Sequence, residues 1–397
     1  MDRPRRVSHV LRRAVLLVAV VAASVPRSTS AQLRLNPTAA ANVSPELRER
    51  LQADPFTYFR YINRAWTERV CQVFADVPHP PIVRLHGDAH VEQFALTKDA
   101  WGLDDFDDSI RGPTFIDIVR FLGSIDLVTR QRGWTDSRDA LWNRFLDGYR
   151  KGLANPAYRT PEPGIVHELR KQAPMPRSAY LAWAERQMRP MDDAPPTFVG
   201  AAMEALDRLV RRDRPDIAPG YFTVVRAGWL RIGVGSEATR KVLIRVQGST
   251  PDPDDDPLLE AKEVTNLEGV DCVDGATDPA VRIIAGARQL GRLKHDILAG
   301  GPTLLIPSAA DRAEHWLNWW VKSWDPSYRE VSVSDLRSVD DLAEIAFDSG
   351  VQLGAGKVVG VRQQALASVE RLEYRLKKET AALIEELLAG WRELRER

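Results

Sequence analysis

Cysteine is nearly absent from this chain: Cys71 and Cys272 are the only two among 397 residues. That number makes no disulfide framework, and two separate buried thiols are the expectation, with a single bridge as the alternative. A surplus of charge is missing as well. The 55 basic residues balance the 55 acidic ones, so no global field favours nucleic acid or an anionic membrane as partner. Internal repeats are lacking, and so is an apolar run of the roughly 20 residues that a comfortable membrane span needs. What remains is 44% hydrophobic and 28% charged, an ordinary globular composition. The length suits two or three domains, or one large two-lobed enzyme.

The N-terminus has its own character. Arg3, Arg5, Arg6, Arg12 and Arg13 precede an apolar run over residues 14–25, followed by Pro26 and small residues at 28–31. A basic region, a short apolar region and a small-residue site predict a secretory signal over residues 1–31, cleaved after Ala31. Export to the periplasm or outside the cell follows, with no stable membrane span after cleavage. An uncleaved anchor or a misassigned start is the alternative.

The densest information lies between His86 and Asp117. The apolar lead-in Ile82, Val83 and Leu85 ends in His86-Gly87-Asp88-Ala89-His90, with Gln93 just beyond. A second short apolar segment ends in Asp104-Asp105-Phe106-Asp107-Asp108, and Gly112-Pro113 and Asp117 follow. Two strand ends therefore bring carboxylates to one place, and crowded carboxylates call for a cation. A solvated acidic turn is the plain alternative, opposed by Phe106 and the flanking Trp101 and Leu103.

Elsewhere the pattern predicts elements. Ser44-Pro45 starts a helix, with Ser44 as N-cap, after a loose linker over 32–44. Aromatic spacing predicts one helix over 55–74, and helical periodicity covers 118–153 and 176–213 with a proline-rich interruption at 190–196. Residues 221–247 alternate and predict an antiparallel hairpin, 249–257 an acidic turn, and 258–264 a third strand. A helix over 280–298, a strand over 316–324 and helices over 342–394 complete the reading. The hairpin carries Gly233, Gly235, Ser236 and Thr239, whose amides and hydroxyls could approach phosphate oxygens. Plain turn glycines are the bland alternative. Lys262 sits in the middle of the third, apolar strand, where a buried ammonium needs a partner.

The His86–Asp117 segment resembles the catalytic and metal-binding loops of kinase-like phosphotransferases, aminoglycoside and choline kinases especially. The whole series resembles a bacterial family, domain of unknown function 2252. It comprises Pro55-Phe56 with Phe59-Arg60, the two acidic segments, Gly112-Pro113 with Asp117, Val234-Gly235-Ser236 with Thr239-Arg240, and Ala261-Lys262-Glu263. The resemblance implies an α+β, protein-kinase-like two-lobed fold whose small β-rich lobe follows the catalytic loop, a permuted order. The divisions would be a linker and helix start over 32–50, a helical lobe over 51–215, a β-rich nucleotide lobe over 216–330 and C-terminal helices over 331–397. By the same resemblance Asp88 is the catalytic aspartate, and Asp105, Asp107 and Gln93 are metal ligands. Lys262, Gly233, Gly235, Ser236 and Thr239 bind nucleotide phosphates, and His86, His90 and Asp117 support the loop. Magnesium and ATP are the implied cofactors, and a hydroxyl group of unknown owner the acceptor. Departures exist: Gln93 replaces an asparagine, Glu237-Ala238 stand where valine and glycine are expected, and Ala285 stands where a helix would offer Lys262 an acidic partner.

Three functions fit these residues. One is a metal-dependent phosphotransferase, the second a degenerate binding module of the cell envelope. The third is a secreted metal-dependent hydrolase with His86, Asp88, His90 and Asp105 as ligands.

Overall fold

The structure is a computed structural model. It describes residues 33–35, 43–172, 175–191, 223–230, 241–264, 267–275, 279–307 and 314–396, with a few further positions between 203 and 215, and only the backbone of 301–307 and 314–318. The predicted glycine loop, with Gly233, Gly235, Ser236 and Thr239, and the predicted leader over 1–31 lie outside the described residues. Helix and sheet are mixed, as an α+β class requires.

Helix α1, Pro45–Ala53, begins as its sequence predicts: the Ser44 hydroxyl accepts the Leu47 N–H at 3.1 Å and Pro45 occupies the first helical position. The segment before it is not loose at residues 33–35. Leu33 is fully buried, and its carbonyl accepts the Tyr58 hydroxyl at 3.2 Å. The single aromatic helix expected over 55–74 is two helices, α2 (Pro55–Tyr61) and α3 (Asn63–Val73), divided at Ile62. The break frees the Asn63 side chain to donate to the Gly87 carbonyl and to Asp108, both at 3.0 Å.

Strand β1, Ile82–Leu85, pairs antiparallel with β4, Ile110–Pro113. Between them lie β2 (Phe94–Leu96) and β3 (Trp101–Leu103), an antiparallel pair joined at one edge by β11 (Arg329–Glu330). Behind these strands α4, Phe115–Arg132, is buried along nearly its whole length. It packs against α5 (Arg138–Ala154) and the long C-terminal helix α10 (Val359–Glu396).

Helix α9, Val339–Ala355, approaches α5 so closely that a Cβ at Gly148 would stand 2.1 Å from the Phe347 carbonyl oxygen. Only glycine permits that approach, and it brings Gln352 to β3. The Gln352 amide donates to the carbonyls of Leu103 (3.0 Å) and Leu290 (2.9 Å), and its oxygen accepts the Leu103 N–H at 2.7 Å. The acidic segment is thus clasped at its root.

A six-stranded antiparallel sheet forms the other body of the fold, in the order β5-β6-β7-β8-β10-β9. Its members are β5 (Met188–Arg189), β6 (Val224–Leu230), β7 (Lys241–Val246), β8 (Leu258–Glu263), β9 (Leu298–Pro307) and β10 (Glu314–Ser323). The predicted hairpin and third strand are β6, β7 and β8, in that pairing. Two helices flank this sheet, α7 (Arg177–Gln187) and α8 (Pro279–Leu290). The helix expected to reach residue 298 stops at Leu290, where Gly291 follows and Gln352 takes up the last carbonyl.

Cys71 and Cys272 form a disulfide with a Cα–Cα separation of 5.5 Å, against the expectation of two separate thiols. Their 201-residue separation hid the pairing: α3 and the loop after β8 meet only in the folded chain. Among the described residues no helix is long and apolar enough to cross a membrane.

Candidate functional site

The loop after β1 is held by its backbone. Asp117, in the first turn of α4, accepts the N–H groups of His86 and Gly87, each at 2.9 Å. Gly87 has φ +88°, and a Cβ there would stand 1.9 Å from the Asp108 carbonyl oxygen, so no other residue fits. The loop is thereby locked against the acidic segment.

Asp88 emerges from this loop between cations and donors. Arg120 places Nε at 2.9 Å and Nη2 at 2.7 Å from Oδ1, while Gln93 Nε2 lies 3.3 Å and His90 Nε2 3.5 Å from Oδ2. Burial raises the carboxyl, but the Arg120 charge and the hydrogen bonds from His90 and Arg120 outweigh it and hold Asp88 well below the usual carboxylate range. Burial also pushes the His90 imidazole down to about 4, leaving it neutral against the edge of Phe56. His86 places Nε2 2.9 Å from the Asp104 carbonyl. His86 thus faces a backbone carbonyl and His90 the Asp88 carboxylate.

The acidic segment is no solvated turn: Asp104 and Phe106 are buried. Asp105 adopts a left-handed backbone at φ +59°, uncommon outside glycine. Lys262 meets its carboxylate. Its Nζ lies 2.8 Å from Asp105 Oδ1, 3.0 Å from Asp107 Oδ2 and 3.8 Å from Glu260 Oε1. These carboxylates are the partners that Ala285 does not provide. Burial lowers the Lys262 ammonium, but Asp105 and Asp107 overcome it and raise the group well above its usual value. Asp105 is held low by Lys262 against burial; Asp107 is raised by burial and by the Asp105 charge. Asp107 Oδ1 is buried with no hydrogen-bond partner.

Sheet register adds residues that spacing alone did not single out. Lys241 stands opposite Lys262, which stands opposite Trp320; Lys322 stands opposite Glu260. Residues in register share a face, and so do residues two apart on one strand. Three lysines therefore project from one sheet face. Lys322 Nζ lies 3.3 Å from Asp104 Oδ2, with His295 Nε2 3.5 Å from the other oxygen. Arg120 was also missed, although an arginine inside Ile118-Val119-Arg120-Phe121-Leu122 is a signal, because a guanidinium buried in an apolar helix face demands a counter-charge.

All these elements border one cavity of about 570 Å³, whose lining includes Asp88, Gln93, Asp105, Asp107, Lys241 and Lys262. Among the described residues, no group of three or more histidine, cysteine, aspartate or glutamate side chains is arranged to hold a metal ion. His86, Asp88, His90 and Asp105 are not gathered as one ligand set: the His86 ring faces a backbone carbonyl, and His90 faces Asp88.

Residues 43–191 match the model of a family described as an uncharacterized protein conserved in bacteria, domain of unknown function 2252. The match takes in both loops and α4, and the lysine-bearing strands lie beyond it. No curated protein and no solved structure matches the chain.

Proposed function

We propose that this chain is a kinase-like phosphotransferase that moves a phosphoryl group from a nucleotide to a hydroxyl, with the helical body and the six-stranded sheet acting as its two lobes in permuted order. One observation carries the reading: a strand lysine, Lys262, meets the carboxylates of Asp105 and Asp107 in a cavity that Asp88 also lines. Phosphoryl transfer asks a protein chiefly to position reactants and to neutralise charge. Lysines 241, 262 and 322 supply positive charge for phosphates. Asp88, kept ionised, orients the acceptor hydroxyl and receives its hydrogen bond.

Asp105 and Asp107 fit a magnesium ion, with Gln93 as a further oxygen donor. The unpartnered, buried Oδ1 of Asp107 is a free hard ligand of the kind magnesium takes. When bound, the ion would offset the negative charge of the phosphates.

The Cys71–Cys272 disulfide supports export into an oxidising compartment, because such bonds persist there and are rare in the cytosol. A second reading, a binding module without turnover, is favoured by the Arg120 grip on Asp88, which leaves a weak base.

Single-turnover incubation with γ-labelled ATP and magnesium tests the choice. The phosphotransferase predicts label released to water or to an added hydroxyl acceptor, abolished by Asp88→Asn. Binding with no turnover under any acceptor would leave the second reading.

A further inference from the structure

The same cavity has an aromatic wall that phosphate chemistry does not need. Tyr180 stacks on Trp183 with ring centroids 5.8 Å apart, and Trp183 lies 6.0 Å from Trp324 at 34°. All three line the cavity. Their neighbours Leu181, Ala184, Leu230, Leu243 and Leu258 are buried core, whereas Trp183 and Trp324 are only half-buried. Ring surface is therefore left facing the cavity.

The wall has a fixed relation to the lysines. Trp324 donates its backbone N–H to the Leu258 carbonyl at 2.8 Å, extending the β8–β10 register by one residue. The Leu258–Trp324 row lies four residues from the Lys262–Trp320 row on the same sheet face, about 13 Å at the rise of a strand. Between them Glu260 accepts the Trp324 indole N–H at 2.8 Å, which fixes the ring at the cavity wall. At the far end, among the described residues, Lys241 has no ion-pair partner. Burial and the facing Lys262 lower its ammonium, a cost that an anionic ligand would relieve. A ring-binding wall at one end and the Lys241–Lys262 pair of ammonium groups at the other fit a ligand with the same two ends.

We infer that Trp183 and Trp324 stack on the heterocyclic base of a nucleoside polyphosphate whose phosphates lie at Lys241 and Lys262. The phosphate end rests on the phosphotransferase reading; the base end is independent of it. Stacking is tolerant of base identity, because every base has a π-face, so purine nucleotides of either kind are accommodated.

Calorimetric titration of the full chain with magnesium-ATP and with magnesium-tripolyphosphate separates the two ends. ATP is expected to bind roughly tenfold or more tightly than tripolyphosphate, with quenching of tryptophan fluorescence. Trp183→Leu is expected to remove that advantage and leave tripolyphosphate affinity unchanged, while Trp183→Phe keeps most of it. Equal affinities for the two ligands, or equal weakening of both by Trp183→Leu, would overturn the stacking site alone. Binding of neither ligand would overturn the phosphotransferase reading and the stacking site together.

Discussion

Lys262 Nζ lies 2.8 Å from Asp105 Oδ1, a contact between a sheet strand and a loop 157 residues earlier in the chain. The ammonium and the proposed magnesium ion draw on the same two carboxylates, Asp105 and Asp107. Lys262→Met should therefore do two things. Stability should fall by an amount at the lower end of the roughly 3–5 kcal/mol of a broken buried pair, because Asp105 and Asp107 are about a third exposed. Magnesium alone should then raise the melting temperature more in the variant than in the parent, which a thermal melt with and without the ion measures.

Arg120 is the counter-charge of Asp88 and also lies 3.5 Å over the Phe59 ring. Arg120→Leu strands a buried carboxylate, at a cost of about 3–5 kcal/mol in urea unfolding at pH 7. The sign with pH follows from the depressed Asp88 pKa. Its paired carboxylate contributes stability above the unfolded value of 3.8, and that contribution is lost as pH falls through the folded value. The gap between parent and variant should accordingly narrow in acid.

His90 supplies a second pH dependence in the same direction. Its folded value, about 4, lies below the ordinary 6.5, so between these limits the unfolded chain binds more protons. Stability should fall as pH drops through that window. Replacing the imidazole, His90→Gln, should flatten the slope of unfolding free energy between pH 6.5 and 4.

Cys272 anchors the loop that follows β8 to α3, beside the site: Asp274 donates its N–H to the Arg111 carbonyl of β4 at 2.8 Å. Cys272→Ser should cost about 2–5 kcal/mol in unfolding experiments. A reducing agent should lower the parent to the level of the variant and leave the variant unchanged.

How much of this was legible beforehand depended on sequence distance. His86, Asp88 and Asp105 occupy neighbouring loops joined by short strands, and Asp117 lies in the first turn of the helix that follows, so their convergence followed from local pattern. Lys262 stood out because an ammonium inside Leu258-Leu259-Glu260-Ala261 contradicts its surroundings. Lys241 and Lys322 did not, since only strand register brings them to the same face, and His295 reaches Asp104 from the loop before β9. The division of the aromatic helix at Ile62 was hidden for a related reason. It serves Asn63, whose partners Gly87 and Asp108 lie in other segments.

The most direct test of the central claim is calorimetric titration of the full chain with magnesium-ATP, beside Asp105→Ala. Saturable binding that the substitution abolishes is the predicted result. Absence of binding in protein shown by circular dichroism to be folded would contradict it.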